Sequence, residues 1–242
     1  MSKKYRGKTC VYCGVPDISE TRDHVLAREF ALIERRRDLP IVPACKTCNN
    51  AKSQLENYLT VVLPFGARHG DARKNLSMMV PKRLAGNRHL HAELAKGSAP
   101  DWIPTPSGRW QFASAIHVDT GRLETWLRYL TLGLMWHHWE IVAAGRVSIE
   151  IILPRYDVTS ELAKLFTARA VRRVATTSIG GGALTYEGTL GDGVSINAAW
   201  RFSIYDGLEL AGADPSVRGN VHYVLVTPIA PTDQKQKDRE GQ

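Results

Sequence analysis

Several absences narrow what this chain of 242 residues can be. No apolar run reaches membrane-spanning length, and the opening Met1-Ser2-Lys3-Lys4-Tyr5-Arg6 is basic with no apolar run behind it, so neither a bilayer span nor a secretory signal is expected. Gly180-Gly181-Gly182 lacks the Lys-Ser or Lys-Thr of a phosphate-binding loop, and a turn is expected there instead. No internal repeat is visible. Cysteine is scarce as well: there are four, all within residues 10–48.

Those four form two knuckles, Cys10-Val11-Tyr12-Cys13 and Cys45-Lys46-Thr47-Cys48. Two such pairs in a short segment suit a tetrahedral ion bound by four thiolates, and zinc is the expected metal. The alternative is two disulfides, which belong to an oxidising compartment. The missing signal sequence argues instead for a soluble protein in a reducing cytoplasm.

Between the knuckles stands Thr21-Arg22-Asp23-His24-Val25, and after the second comes Asn49-Asn50-Ala51-Lys52-Ser53. Cys-x-x-Cys, Asp-His, then Cys-x-x-Cys-Asn-x-x-Lys resembles the HNH endonucleases over roughly the first quarter of the chain. The resemblance implies a ββα-metal fold in which a strand bearing Asp-His lies beside the first turn of a helix. It further implies His24 as general base, Asp23 and Asn49 as ligands of a divalent ion, and Lys52 as a phosphate contact. Two positions depart from the family: its proline after Asp-His is Ala27 here, and its middle asparagine, which braces the loop, falls at Pro40.

The chemistry agrees with this assignment. Phosphodiester hydrolysis needs a base to deprotonate water and a hard cation to neutralise developing charge. Oxygen ligands from Asp23 and Asn49 favour magnesium or manganese, so two metals with separate jobs are expected, zinc in sulfur and a catalytic ion in oxygen. Adjacent strand residues point to opposite faces, so Asp23 and His24 serve one centre only if the strand bends or ends there. A zinc-ribbon binding module carrying Asp-His without catalysis is the other reading.

The net charge of +8 is uneven: residues 1–96 hold 18 Lys and Arg against 9 Asp and Glu, and the remainder 14 against 15. A basic surface around the proposed site fits a polyanion such as DNA, and equally a solvated face that aids solubility. Arg35, Arg36 and Arg37 close a segment, residues 26–37, with helical apolar spacing; they can complement a helix C-terminus or meet a phosphate backbone.

The expected fold is α+β, with a zinc-knuckle nuclease domain at residues 1–63, a basic connector at 64–101, a larger α+β domain of unrecognised type at 102–228 and a disordered polar tail at 229–242. In the second domain, 110–118 reads as a strand, Asp119 or Thr120 caps a long buried helix, 147–153 has strand composition, and 160–174 reads as a helix. Strands follow at 184–190, 194–204 and 221–226. Nothing there names a reaction, which leaves it to supply positioning, specificity or a surface for a protein partner or a second copy. The expected activity is metal-dependent endonucleolytic hydrolysis of DNA, with RNA left open because the site handles phosphate without reading the sugar. Stand-alone proteins of this type resemble components of phage defence, restriction or mobile elements. The alternative is a zinc-stabilised nucleic-acid-binding protein without catalysis.

Overall fold

The structure is a computed structural model that describes residues 3–67, 69–104, 109–116, 118–152, 156–167, 172–191, 196–206 and 221–229. It contains both helices and antiparallel sheets, an α+β arrangement with the cysteine cluster in a small N-terminal part. β1 (Thr21–His24) and β2 (Ile41–Ala44) pair antiparallel, with Thr21 opposite Ala44 and His24 opposite Ile41. α1 (Lys46–Val62) follows directly. Cys45 caps it: the sulfur accepts the N–H of Cys48, one of the orphan donors of the first turn.

Residues 26–37 do not form the expected helix. They fold as two 3-10 turns, Arg28–Phe30 and Ile33–Arg35, separated by extended backbone at Ala31 and Leu32. The apolar spacing is satisfied only in part, since Leu26 and Phe30 are buried while Ile33 is 72% exposed. Tertiary partners take the backbone groups that a helix would have paired internally. Glu56 accepts the Ala27 N–H, Arg83 donates to Glu29 C=O, and both Asn75 and Tyr205 donate to Phe30 C=O. With no helix here, Arg35 to Arg37 have no helix C-terminus to complement. The Pro40 carbonyl accepts the Val25 N–H at 2.8 Å, which ties the two sides of this loop together.

The basic stretch 64–101, expected to be a connector, contains three helices, α2 (Gly70–Met78), α3 (Val80–Gly86) and α4 (Arg88–Gly97). Their buried residues Ala72, Val80 and Leu90 belong to the same core as the cysteine knuckles and the C-terminal sheet. The few apolar residues that made this stretch look like a linker are the ones it buries. A hairpin follows, β3 (Ser98–Pro104) and β4 (Trp110–Ile116), and then α5 (Thr120–Trp139), capped by Asp119 through the Arg122 N–H.

α5 is the axis of the molecule. Trp126, Leu127, Leu130, Leu134 and Met135 are fully buried, and each such side chain contributes about 1.5–3 kcal/mol relative to exposure. One side receives the N-terminal part: a Cβ on Gly133 would sit 2.9 Å from a methyl of Val25, the residue after β1, so glycine makes room for that side chain. Another side packs on a five-stranded antiparallel sheet, order β5-β9-β8-β7-β6, built from β5 (Val147–Ile152), β6 (Arg172–Ile179), β7 (Leu184–Leu190), β8 (Ala198–Ile204) and β9 (His222–Pro228). Trp139 meets Trp200 at 4.8 Å between ring centroids, and His138 shares a 3.0 Å hydrogen bond with the Tyr186 hydroxyl.

α6 (Tyr156–Leu165) covers the opposite sheet face through Leu162 and Phe166, which pack with Ala199 and Tyr223. It starts and ends earlier than the helix expected at 160–174, because β6 begins at Arg172. The expected tail lies almost wholly outside the described residues. No helix among the described residues is long and apolar enough to cross a membrane.

Candidate functional site

The two knuckles meet. Sγ atoms of Cys10, Cys13, Cys45 and Cys48 lie within 4.8 Å of one another, and all four cysteines are free. Cys45 N–H donates to Cys10 Sγ at 3.3 Å and Cys48 N–H to Cys45 Sγ at 3.4 Å, the kind of backbone donation that a thiolate accepts. Burial, the Cys45 contact and the charge of neighbouring cysteines all push the Cys48 thiol well up. An all-sulfur tetrad of this kind is a donor set that can hold a metal ion such as zinc, whose charge would offset the cost of deprotonating the thiols.

The cluster fixes the start of α1 against β1, and that docking aligns one stripe of the helix with the strand. Asn49, Lys52 and Glu56 follow each other at helical spacing along it. Asn49 Nδ2 donates to Thr21 Oγ1 at 3.2 Å, and the Thr21 hydroxyl spends its single proton on Ala44 C=O at 2.8 Å. The hydroxyl must then accept from Asn49, which fixes the amide with its Oδ1 turned away from Thr21. Asp23 lies two residues beyond Thr21 on the same strand face and is buried. Both the Tyr12 hydroxyl, at 2.5 Å, and Lys52 Nζ, at 3.0 Å, approach its Oδ2, so Oδ1 stays outside this network.

Lys52 is not placed to touch a phosphate. Its side chain is 0% exposed and its ammonium is enclosed by His24 C=O at 2.7 Å, Glu56 Oε1 at 2.7 Å and Asp23 Oδ2 at 3.0 Å. A lysine so far from water is tolerable only because two carboxylates and a carbonyl replace its hydration. Glu56 Oε1 also accepts Ala27 N–H and Trp126 Nε1–H, which ties the network to α5. Burial pushes the Glu56 carboxyl up to about 7, against the downward pull of Lys52.

His24 is the last residue of β1, half-buried, on the strand face opposite Asp23 and beside exposed Arg22 and Arg28. Burial lowers its pKa, Arg28 adds to the effect, and Asp23 opposes it. The imidazole is accordingly neutral at physiological pH and able to accept a proton. Its Nδ1 is buried with no hydrogen-bond partner. The strand ends at His24, which meets one of the two conditions under which the Asp-His pair can serve one centre, although the two side chains leave the strand on opposite faces.

The structure thus brings Asp23 and Asn49 to the helix-facing side of β1 and leaves His24 at the strand end. Of the arginine triplet, Arg35 and Arg37 are exposed, while Arg36 is half-buried with its Nε donating to Ala31 C=O. Arg22 and Arg28 are the cations next to His24, and sequence reasoning passed over them; Arg22, two residues before His24 on a strand, was the available signal. Tyr12 and Glu56 were also missed. Glu56 carried a signal in its i,i+4 spacing from Lys52. No family model, curated protein or solved structure matches the chain.

Proposed function

We propose that this protein is a metal-dependent endonuclease that hydrolyses phosphodiester bonds in DNA, with His24 as general base and Asp23 and Asn49 as ligands of a magnesium or manganese ion. The observation that carries the reading is that Asp23 of β1 and Asn49 of α1 are each held at the seam between strand and helix, Asp23 by Lys52 and Asn49 by Thr21. Thr21 orients the Asn49 amide so that Oδ1 is the atom left to bind, and Tyr12 and Lys52 hold Asp23 by one oxygen only. Two hard oxygen donors on one face suit a hard cation, which when bound would neutralise charge developing on the phosphate.

The protein's own groups divide the remaining work. Neutral His24 accepts the proton of the attacking water, and Arg22 and Arg28 beside it offer the phosphate a positive surface in place of buried Lys52. Arg35 and Arg37, exposed as well, add to the positive charge of the N-terminal part. The four-cysteine cluster, holding zinc, keeps α1 docked so that Asn49 faces β1. Replacing Asn49 with alanine tests the ligand assignment: the magnesium or manganese concentration needed for cleavage should rise, while zinc content stays unchanged.

A second reading, a zinc-stabilised nucleic-acid-binding protein without catalysis, draws on one observation. Tyr12 and Lys52 occupy Asp23 Oδ2, and His24 leaves β1 on the side of Arg22 rather than of Asp23. In that case an Asp23→Asn variant would lose stability and no metal-dependent activity would exist to lose.

A further inference from the structure

The β3–β4 hairpin carries three large aromatic rings on one exposed face. Trp102 is 58% exposed, Trp110 66% and Phe112 60%. Trp102 stands directly opposite Phe112 in the register, their ring centroids 5.4 Å apart, and Trp110 lies two residues before Phe112 on the same strand face. The other tryptophans are turned in: Trp126 and Trp200 are fully buried, Trp139 is 6% exposed and Trp136 is partly buried. A two-stranded ribbon that turns its rings outward gives up the burial that stabilises such rings, and a contiguous exposed aromatic face marks a binding surface.

The surroundings indicate what it binds. The hairpin emerges from α4, with which β3 is in contact, at the end of the helical stretch α2–α4. Across that stretch Arg73, Lys74, Lys82, Arg88 and Lys96 are exposed, and Arg109, exposed as well, immediately precedes Trp110. The two carboxylates of α2–α4, Asp71 and Glu93, are both partly buried, Glu93 being held by Arg122 at 2.9 Å. A rank of exposed cations leading to a face of exposed rings is the combination that binds a nucleic-acid single strand: cations follow the backbone and rings stack on unpaired bases. Residues two apart on a strand are separated by about 6.8 Å, which is two base thicknesses of about 3.4 Å and admits one base between their rings.

We infer that the β3–β4 hairpin is a stacking platform for unpaired bases of single-stranded DNA, and that the substrate of the proposed site is DNA with a single-stranded segment. The inference rests on the nuclease reading for the identity of the polymer and adds to it the class of substrate. It also gives the α2–α4 basic surface a role, guiding the strand between platform and site.

The test reads binding without turnover, on the full-length His24→Ala protein with no magnesium or manganese added. A thymidine oligonucleotide should quench tryptophan fluorescence, because Trp102 and Trp110 are exposed, and a blunt duplex of equal length should quench it far less. In Trp102→Ala/Trp110→Ala/Phe112→Ala the quenching should vanish and single-strand affinity should fall by about tenfold or more, with duplex affinity nearly unchanged. Trp110→Ala alone, at the most exposed ring, should show a smaller loss in the same direction and guards against misfolding of the triple variant. Unchanged single-strand affinity in both variants overturns the inference. So does tighter binding of a uridine ribo-oligonucleotide than of the thymidine one, or a self-association that the triple variant abolishes while its DNA affinity stays the same. Failure of the parent protein to cleave any DNA would sink the nuclease reading and leave these binding results standing, so the two failures are distinguishable.

Discussion

Lys52 Nζ lies 3.0 Å from Asp23 Oδ2 with both side chains buried, and the same ammonium holds the carbonyl of His24. A single cation thus fixes both members of the Asp-His pair, one by its side chain and one by its backbone. Removing that cation leaves Asp23 and Glu56 uncompensated. Lys52→Met should destabilise the protein by about 3–5 kcal/mol, the usual cost of breaking a buried pair from one side. Urea denaturation checks this; a variant as stable as the parent but weaker in DNA binding would return Lys52 to the role of phosphate contact.

The zinc assignment predicts the behaviour of the whole protein and not of its N-terminus alone. Tyr12 and Val25 pack against Gly133 in α5, so loosening the knuckles opens the shared core. Cys45→Ala should lose the metal and the cap of α1 together, and lower the melting temperature of the entire far-ultraviolet transition. Metal analysis should find a stoichiometric ion in the parent. A variant that melts like the parent contradicts the assignment.

His222 gives the protein a defined acid sensitivity. It is fully buried, neither ring nitrogen has a hydrogen-bond partner among the described residues, and burial lowers its pKa to about 4. An unfolded chain protonates its histidine near 6.5, so below that pH protons favour the unfolded state until about pH 4. The stability at stake is on the order of 3 kcal/mol, present above pH 6.5 and lost through that window. His222→Leu should flatten this part of the pH–stability curve, while His138, shifted the same way, remains as an internal reference. An unchanged slope refutes the assignment.

Charge next to His24 should govern affinity. Reversing Arg22 and Arg28 to glutamate should weaken binding to all DNA sequences alike and lower the salt slope by about one for each phosphate that is no longer neutralised. Arg35 and Arg37 should act in the same way. Arg36, whose Nε holds Ala31 C=O, should cost stability as well.

The sequence disclosed the parts that local chemistry dictates. Two knuckles, the cap of α5 at Asp119 and the strand at residues 184–190 followed from spacing, capping and alternation, all of which act within a few residues. What it hid depends on packing between distant segments. Residues 26–37 had helical spacing and no helix, because Glu56, Asn75, Arg83 and Tyr205 claim their backbone groups. Lys52 reads as a surface cation until α1 docks on β1 and encloses it. The candidate site was legible as a set of residues, whereas its polarity, with Asp23 facing the helix and His24 facing Arg22, came only with the tertiary structure.

The central claim is that His24 accepts the proton of the attacking water. Its most direct test is the cleavage rate of DNA, carrying a single-stranded segment, by His24→Ala and by the parent, both with magnesium or manganese. The account predicts a loss on the order of a hundredfold or more, with DNA affinity, zinc content and melting temperature nearly unchanged. A His24→Ala protein that cuts as fast as its parent would contradict it.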